Sequence, residues 1–155
     1  MQGADIIKVE SLKGAGERGG SQVPLSSSDA MVNRNKRSVS IDLKSKDGVA
    51  LLLKLAADAD VVMQNFRPGV VERMGIGYED IKKVNPEVIY VNSSGFGEDG
   101  PYAHKRVYDP IIQAVSGLMS VQADEKGRPR MLRVILPDKL TALTSAQVRV
   151  WGWWL

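Results

Sequence analysis

Cysteine is absent from the 155 residues, which excludes disulfides and thiolate metal ligation, and a single histidine, His104, leaves too few soft donors for a zinc centre. No metal is expected. No run approaches the roughly 20 consecutive apolar residues of a membrane span, and Met1-Gln2-Gly3-Ala4-Asp5 lacks the basic region and apolar core of a signal peptide. Neither a membrane nor the secretory route is expected, and a reducing interior compartment, the cytoplasm, fits best, with a mitochondrial location left open. Charge of one sign is also scarce. The net charge is +3, and 21 Lys and Arg alternate with 18 acids, so no nucleic-acid partner is implied. The densest basic run, Asn33-Arg34-Asn35-Lys36-Arg37, reads as a solvated loop before a strand, with a small-anion site as the alternative.

What is present is a globular composition, 43% hydrophobic and 25% charged. Ala4 to Glu10 is a β-branched run opening a Gly/Ser-rich loop that extends to Asp29. Ser38-Val39-Ser40-Ile41-Asp42-Leu43 alternates with the period of a half-buried strand. Val49, Leu52, Leu53, Leu55 and Ala56 then form a helical apolar face over 47–58, with Ser45 as its cap. Val61-Val62-Met63 reads as a buried strand, and Pro68 as the opening of a short helix carrying Val70, Val71 and Met74 and closed by Gly75 and Gly77. A second short helix is expected over 78–84, and Val88-Ile89-Tyr90-Val91 as a strand buried on both faces. Ile111 to Met119 and Leu140 to Gln147 are further helices. This alternation predicts an α/β fold with a parallel sheet. Residues 1–147 are expected to form part of one domain, and 148–155, which hold Trp151, Trp153 and Trp154, a divergent tail.

Gly95-Phe96-Gly97-Glu98-Asp99-Gly100 matches the dinucleotide-binding pattern G-x-G-x-x-G after a predicted strand. A Rossmann turn must open a helix whose amides face phosphate, but residues 101–106 show no apolar helical face, and two acids sit inside the turn. A glycine loop is the expectation.

Six segments taken in order resemble the class III CoA-transferases, the superfamily that includes formyl-CoA transferase, carnitine CoA-transferase and the α-methylacyl-CoA racemases. They are Gly3-Ala4-Asp5-Ile6-Ile7-Lys8-Val9-Glu10, Asn33-Arg34-Asn35-Lys36-Arg37-Ser38, the stretch from Asp60 to Gly69, Arg73-Met74-Gly75, Ser94-Gly95-Phe96-Gly97, and Pro137-Asp138-Lys139. The resemblance implies a Rossmann-like large domain, incomplete here because a first strand and helix and a second domain are missing. It also implies a parent that is an interlocked homodimer, acting on acyl-CoA and carboxylic acid substrates.

Carried over motif by motif, the resemblance implies Asp138 as the catalytic nucleophile. On its residues alone, Asp138 reads as a helix N-cap. Asn65, Phe66, Arg73 and Met74 fall on the family's CoA-contacting segment, and Lys44 and Arg106 match basic cofactor-side positions. Arg73 and Lys44 taken alone read as solvated charges. Ser11 stands where formyl-CoA transferase has a cofactor-contacting arginine. The racemases carry a histidine at the position of Tyr108, and His104, four residues earlier, reads as a surface residue. Transfer through an aspartyl intermediate is therefore expected of the parent, with coenzyme A as substrate and no activity from this segment alone. The alternatives are a non-catalytic CoA-binding or dimer-modulating homologue and an acyl-CoA racemase.

Overall fold

A computed structural model describes residues 3–12 and 27–152; most of the expected loop after Glu10, together with Trp153 and Trp154, lies outside them. The chain is mixed α/β and falls into two compact units, Met1–Ala57 and Asp58–Leu155.

In the first unit, β1 (Ile7–Glu10) pairs in parallel with β2 (Arg37–Ser40), Ile7 against Arg37 and Glu10 against Ser40. Both strands are shorter than the periodicity predicts. The pairing still continues one step further, because the Ile41 amide donates to the Glu10 carbonyl at 2.9 Å. Ile41, 3% exposed, is the buried end of that alternation. Before β2 comes α1 (Ser27–Asn33), a helix that the sequence reading does not contain. Asn35 turns the chain in the left-handed region at φ 63°, a conformation that asparagine tolerates. Two cations of the basic run beside it have partners: Arg37 forks onto the Asp5 carboxylate at 3.2 and 2.6 Å, and Lys36 donates to the Asn33 side chain at 3.2 Å.

Helix α2 (Lys46–Ala57) begins as its sequence requires. Ser45 Oγ accepts from the Gly48 amide at 3.0 Å and donates to the Asp42 carbonyl at 2.9 Å, closing the turn that leaves β2. The backbone of Asp42 approaches so closely that any Cβ on residue 48 would collide with its carbonyl.

The second unit repeats the alternation. Here β3 (Val61–Gln64) and β4 (Ile89–Asn92) pair in parallel, Val61 against Ile89 and Gln64 against Asn92. Between them run α3 (Val70–Met74) and α4 (Tyr78–Val84), whose Val71 and Ile81 bury together with Ile76 and Val88. Pro68 lies in the turn before α3 rather than inside it, and Gly69 is the N-cap. The expectation of strands buried on both faces does not hold: β4 is half-buried throughout, and Met63 on β3 is 55% exposed. Each strand has one pairing partner among the described residues, so each two-stranded sheet has unpaired outer edges there. Tyr90 on β4 meets Tyr78 edge-on at 5.9 Å and donates to the Ile76 carbonyl at 3.3 Å; burial first, then the nearby Glu72 carboxylate, pushes its phenol above the ordinary value.

The helix expected over 111–119 is two, α5 (Asp109–Val115) and α6 (Leu118–Val121). Gly117 separates them by adopting φ 81°, left-handed backbone that a β-carbon disfavours. Finally α7 (Leu136–Gly152) packs on α5 and β4. It starts four residues earlier than expected and continues past Gln147, because 148–151 contain neither glycine nor proline to stop it. No helix among the described residues is long and apolar enough to cross a membrane.

Candidate active site

The loops leaving the C-terminal ends of β3 and β4 form a cleft of about 220 Å³, where parallel α/β sheets present ligand sites. Asn65, Phe66, Arg67 and Pro68 line one wall; Ser94, Gly95, Ala103, Lys105, Arg106, Val107 and Tyr108 line the others. Three of the seven site residues expected from sequence therefore meet here: Asn65, Phe66 and Arg106.

A run of side-chain hydrogen bonds fixes that first wall. Gln64, the last residue of β3, accepts from the Phe66 amide at 2.6 Å and donates to the Asn92 side chain at 2.7 Å. Asn92 ends β4 and donates in turn to Glu98 of the glycine loop. The loop bearing Asn65 and Phe66 is thus tied to both strand ends. Glu98 is accordingly a structural anchor, and the glycine pattern leads into turns over 101–104 rather than a helix, as the composition of those residues predicts. Phe96 packs on Tyr102 at 5.5 Å, and the Lys105 ammonium stands 4.0 Å over the Tyr102 ring. Gly95 is required by close approach, since a Cβ there would overlap the Val107 side chain.

Arg67, Lys105 and Arg106 all belong to the lining, which holds no acidic residue. A group with phosphate oxygens matches that chemistry. Sequence reasoning missed Arg67, although it directly follows Asn65-Phe66; it also missed Lys105, Ser94 and the bonding role of Gln64 and Asn92. Arg73 and Met74 sit on α3 outside the lining. The Arg73 guanidinium reaches back over Gly69, within 3.0 Å of where a Cβ would stand. Lys44 belongs to the first unit, exposed in the turn between β2 and α2, its amide donating to Asp42 Oδ1 at 3.0 Å. Among the described residues no cluster of carboxylates and histidine suited to a metal occurs.

Asp138 is the third residue of α7, not its cap. The residue before the helix is Ile135, whose side chain offers no acceptor. The first-turn amides find other partners: Leu136 donates to the Val134 carbonyl at 2.9 Å, Pro137 has no N–H, and Lys139 donates to the Ile135 carbonyl at 3.3 Å. The remaining amide, that of Asp138 itself, donates to Asp109 Oδ2 at 3.2 Å, across 29 residues of sequence. Asp109 is 6% exposed, and its other oxygen accepts from Gln113 Nε2 at 2.6 Å. The Asp138 carboxylate is consequently exempt from capping. It is exposed and has no hydrogen-bond or ion-pair partner among the described residues. Asp109 directly follows Tyr108 of the cleft wall, so a single peptide bond links the cleft to the residue that holds Asp138.

The chain is similar in sequence and fold to proteins of one family. The family model described as CoA-transferase family III matches residues 1–150. An acyl-CoA transferase of Fusarium pseudograminearum is 42% identical over 153 residues, covering 91% of this chain and 34% of the relative. Succinyl-CoA:glutarate CoA-transferase of Mus musculus is 41% identical over 146 residues, covering 91% and 33%. Among solved structures, a CAIB/BAIF family protein from Brucella suis superposes with a TM-score of 0.87 at 34% identity, covering 97% of this chain and 42% of that one. The chain spans about a third of the length of the curated relatives it matches.

Proposed function

The chain belongs to CoA-transferase family III, and we propose that the protein carrying it moves coenzyme A from an acyl-CoA to a free carboxylic acid through Asp138. The observation that carries this reading is the state of the Asp138 carboxylate, which is exposed and unpaired among the described residues while Asp109 satisfies its amide.

In the proposed reaction the Asp138 carboxylate attacks the donor thioester carbonyl, the carbon–sulfur bond breaks, and the CoA thiolate leaves a mixed anhydride behind. The thiolate then attacks the aspartyl carbonyl, releasing the donor carboxylate and leaving an aspartyl–CoA thioester. The acceptor carboxylate attacks that thioester in turn, and the thiolate it expels takes the acceptor's acyl carbon, regenerating Asp138. No redox partner is consumed.

We assign the cleft to part of the CoA, with Arg106 pairing with phosphate oxygens and Asn65 and Phe66 forming the wall against it. Lys44, Arg73 and Met74, outside the cleft lining, are proposed as further cofactor contacts on the resemblance alone. The acids named for the relatives are short carboxylates such as succinate, glutarate and oxalate. Catalysis is proposed for the whole protein, as an interlocked homodimer without metal, and not for this segment alone. Tyr108 in the cleft wall favours transfer over racemisation, since a phenol is a poor base near neutral pH.

Asp138→Asn keeps the shape and the amide bond to Asp109 but removes the nucleophile. Transfer should fall by several orders of magnitude with CoA affinity little changed, and hydroxylamine or borohydride trapping should mark Asp138 only in the unsubstituted protein. Near-normal turnover of Asp138→Asn, or a trapped label on Asp109, would overturn the assignment.

A further inference from the structure

Gln113 is 1% exposed, the most deeply buried polar side chain among the described residues. An amide in such a place is costly unless every bonding group is met. Here all are: Nε2 donates to Asp109 Oδ1 at 2.6 Å and to the Val134 carbonyl at 3.1 Å, and Oε1 accepts from the Leu132 amide at 2.9 Å. Two of these partners are backbone groups of one segment, three residues of chain just before α7. The third is the carboxylate that holds the Asp138 amide.

A helix with an oxygen-bearing N-cap would fix its own first turn. With Ile135 before it, α7 has no such device, and the direction of its first turn depends on what grips the chain from outside. Gln113 grips it at Leu132 and Val134 directly and at Asp138 through Asp109. An apolar residue of equal volume would fill the same space and grip none of them.

We propose that Gln113 is a positioning residue for Asp138, setting where the nucleophile stands relative to the cleft. The inference rests on the transfer function proposed above. In that reaction one carboxylate must attack a thioester, be attacked as an anhydride and be attacked again as a thioester, so its placement enters every step. A misplacement on the order of 1 Å costs about a hundredfold in rate.

The test uses the full-length protein with Gln113→Leu and Gln113→Glu, read by kinetics and by amide hydrogen exchange. Both variants should lose about a hundredfold in kcat while KM for acyl-CoA stays within about threefold. The exchange patterns should differ. Gln113→Glu keeps the acceptor for the Leu132 amide, but its carboxyl must either repel Asp109 or share one proton with it, and it cannot donate to both Asp109 and the Val134 carbonyl; the grip on Asp138 loosens, so Asp138 loses protection and Leu132 keeps it. Gln113→Leu should lose both, with the Ile81 core amide unchanged in either variant. If Gln113→Leu does not fold, Gln113→Glu alone decides. Turnover within threefold of the unsubstituted protein, or loss of Ile81 protection in Gln113→Glu, would overturn the proposal. Retained turnover in Asp138→Asn would instead refute the transfer reading, while the exchange pattern judges the grip of Gln113 on its own.

Discussion

Replacing Gly95 with alanine should close the cleft from inside its wall. The added methyl would overlap the Val107 side chain and stand 3.0 Å from Val107 Cβ. Rotating Val107 about χ1 relieves the first overlap but not the second, because the Cβ does not move with that rotation. Carbon atoms prefer separations of about 3.5–4.0 Å, so the backbone at residue 107 must retreat by about 0.5–1 Å. Overpacking of this kind costs about 1–3 kcal/mol and lowers the melting temperature. Arg106 and Tyr108 flank the displaced residue and also line the cleft. CoA affinity should therefore fall about tenfold, equivalent to about 1.4 kcal/mol. Calorimetric titration of CoA against the full-length variant, beside its thermal melt, measures both effects. Gly97→Ala is the control. It shares the glycine loop but has open space around its Cβ, so it carries only the penalty of φ 82°, about 1 kcal/mol, and should bind CoA normally. A lowered melting temperature with unchanged CoA affinity in Gly95→Ala would show that this cleft does not hold the cofactor. Equal loss of affinity in both variants would restore the nucleotide-turn reading of the motif.

Two further outcomes are expected. With tyrosine at position 108, no deuterium should enter the α-carbon of a 2-methylacyl-CoA in the absence of an acceptor acid, and rapid wash-in seen by mass spectrometry would contradict the transferase assignment. Asp124 should give the turn over 124–130 a pH limit: the Arg128 amide first, then the Lys126 amide, each at 3.0 Å, with Arg130 at 3.1 Å, hold its carboxyl below the ordinary 3.8. A lowered folded value means that the stabilisation is present above the unfolded value and is lost as pH falls through the folded one. The Lys126 and Arg128 amide resonances should therefore hold steady down to about pH 4 and shift only below it, and loosening near neutral pH would refute the account.

The parts legible in the sequence are those set by neighbours within a few residues. The cap of α2 is one: Ser45, Gly48 and the apolar face all fall within three turns, and each does locally what its chemistry predicts. The alternation of strands and helices is another, and the parallel pairings follow from it. What was illegible is non-local. Strand burial depends on how many layers cover a sheet, which a run of valines does not encode, and so Met63 emerges exposed. The short helix α1 has no apolar period to announce it. The bonds of Gln64 to Asn92, and of Gln113 to Leu132 and Val134, join residues 28, 19 and 21 positions apart. Amide side chains carry no periodic signal, so nothing in their spacing marks them.

The same distinction explains why Asp138 reads differently as a local and as a non-local residue. Locally, an aspartate at a helix start is a cap, and a capping carboxylate is held against backbone amides by its own oxygens. Such a carboxylate would have to give up its hydrogen bonds before attacking a thioester. Under the proposed reaction the two tasks fall to two different aspartates. Asp109, buried and bonded through both oxygens, takes the amide of α7. Asp138 contributes only its N–H to the helix start and keeps its carboxylate exposed. Pro137 and Ile135, neither able to supply a capping acceptor, make this division necessary, because the amide of residue 138 must then be met from another element. A nucleophile on a helix that caps itself would be stable and restrained; on a helix capped by a distant carboxylate it is held by its backbone and free at its oxygens, the condition that repeated covalent attack requires.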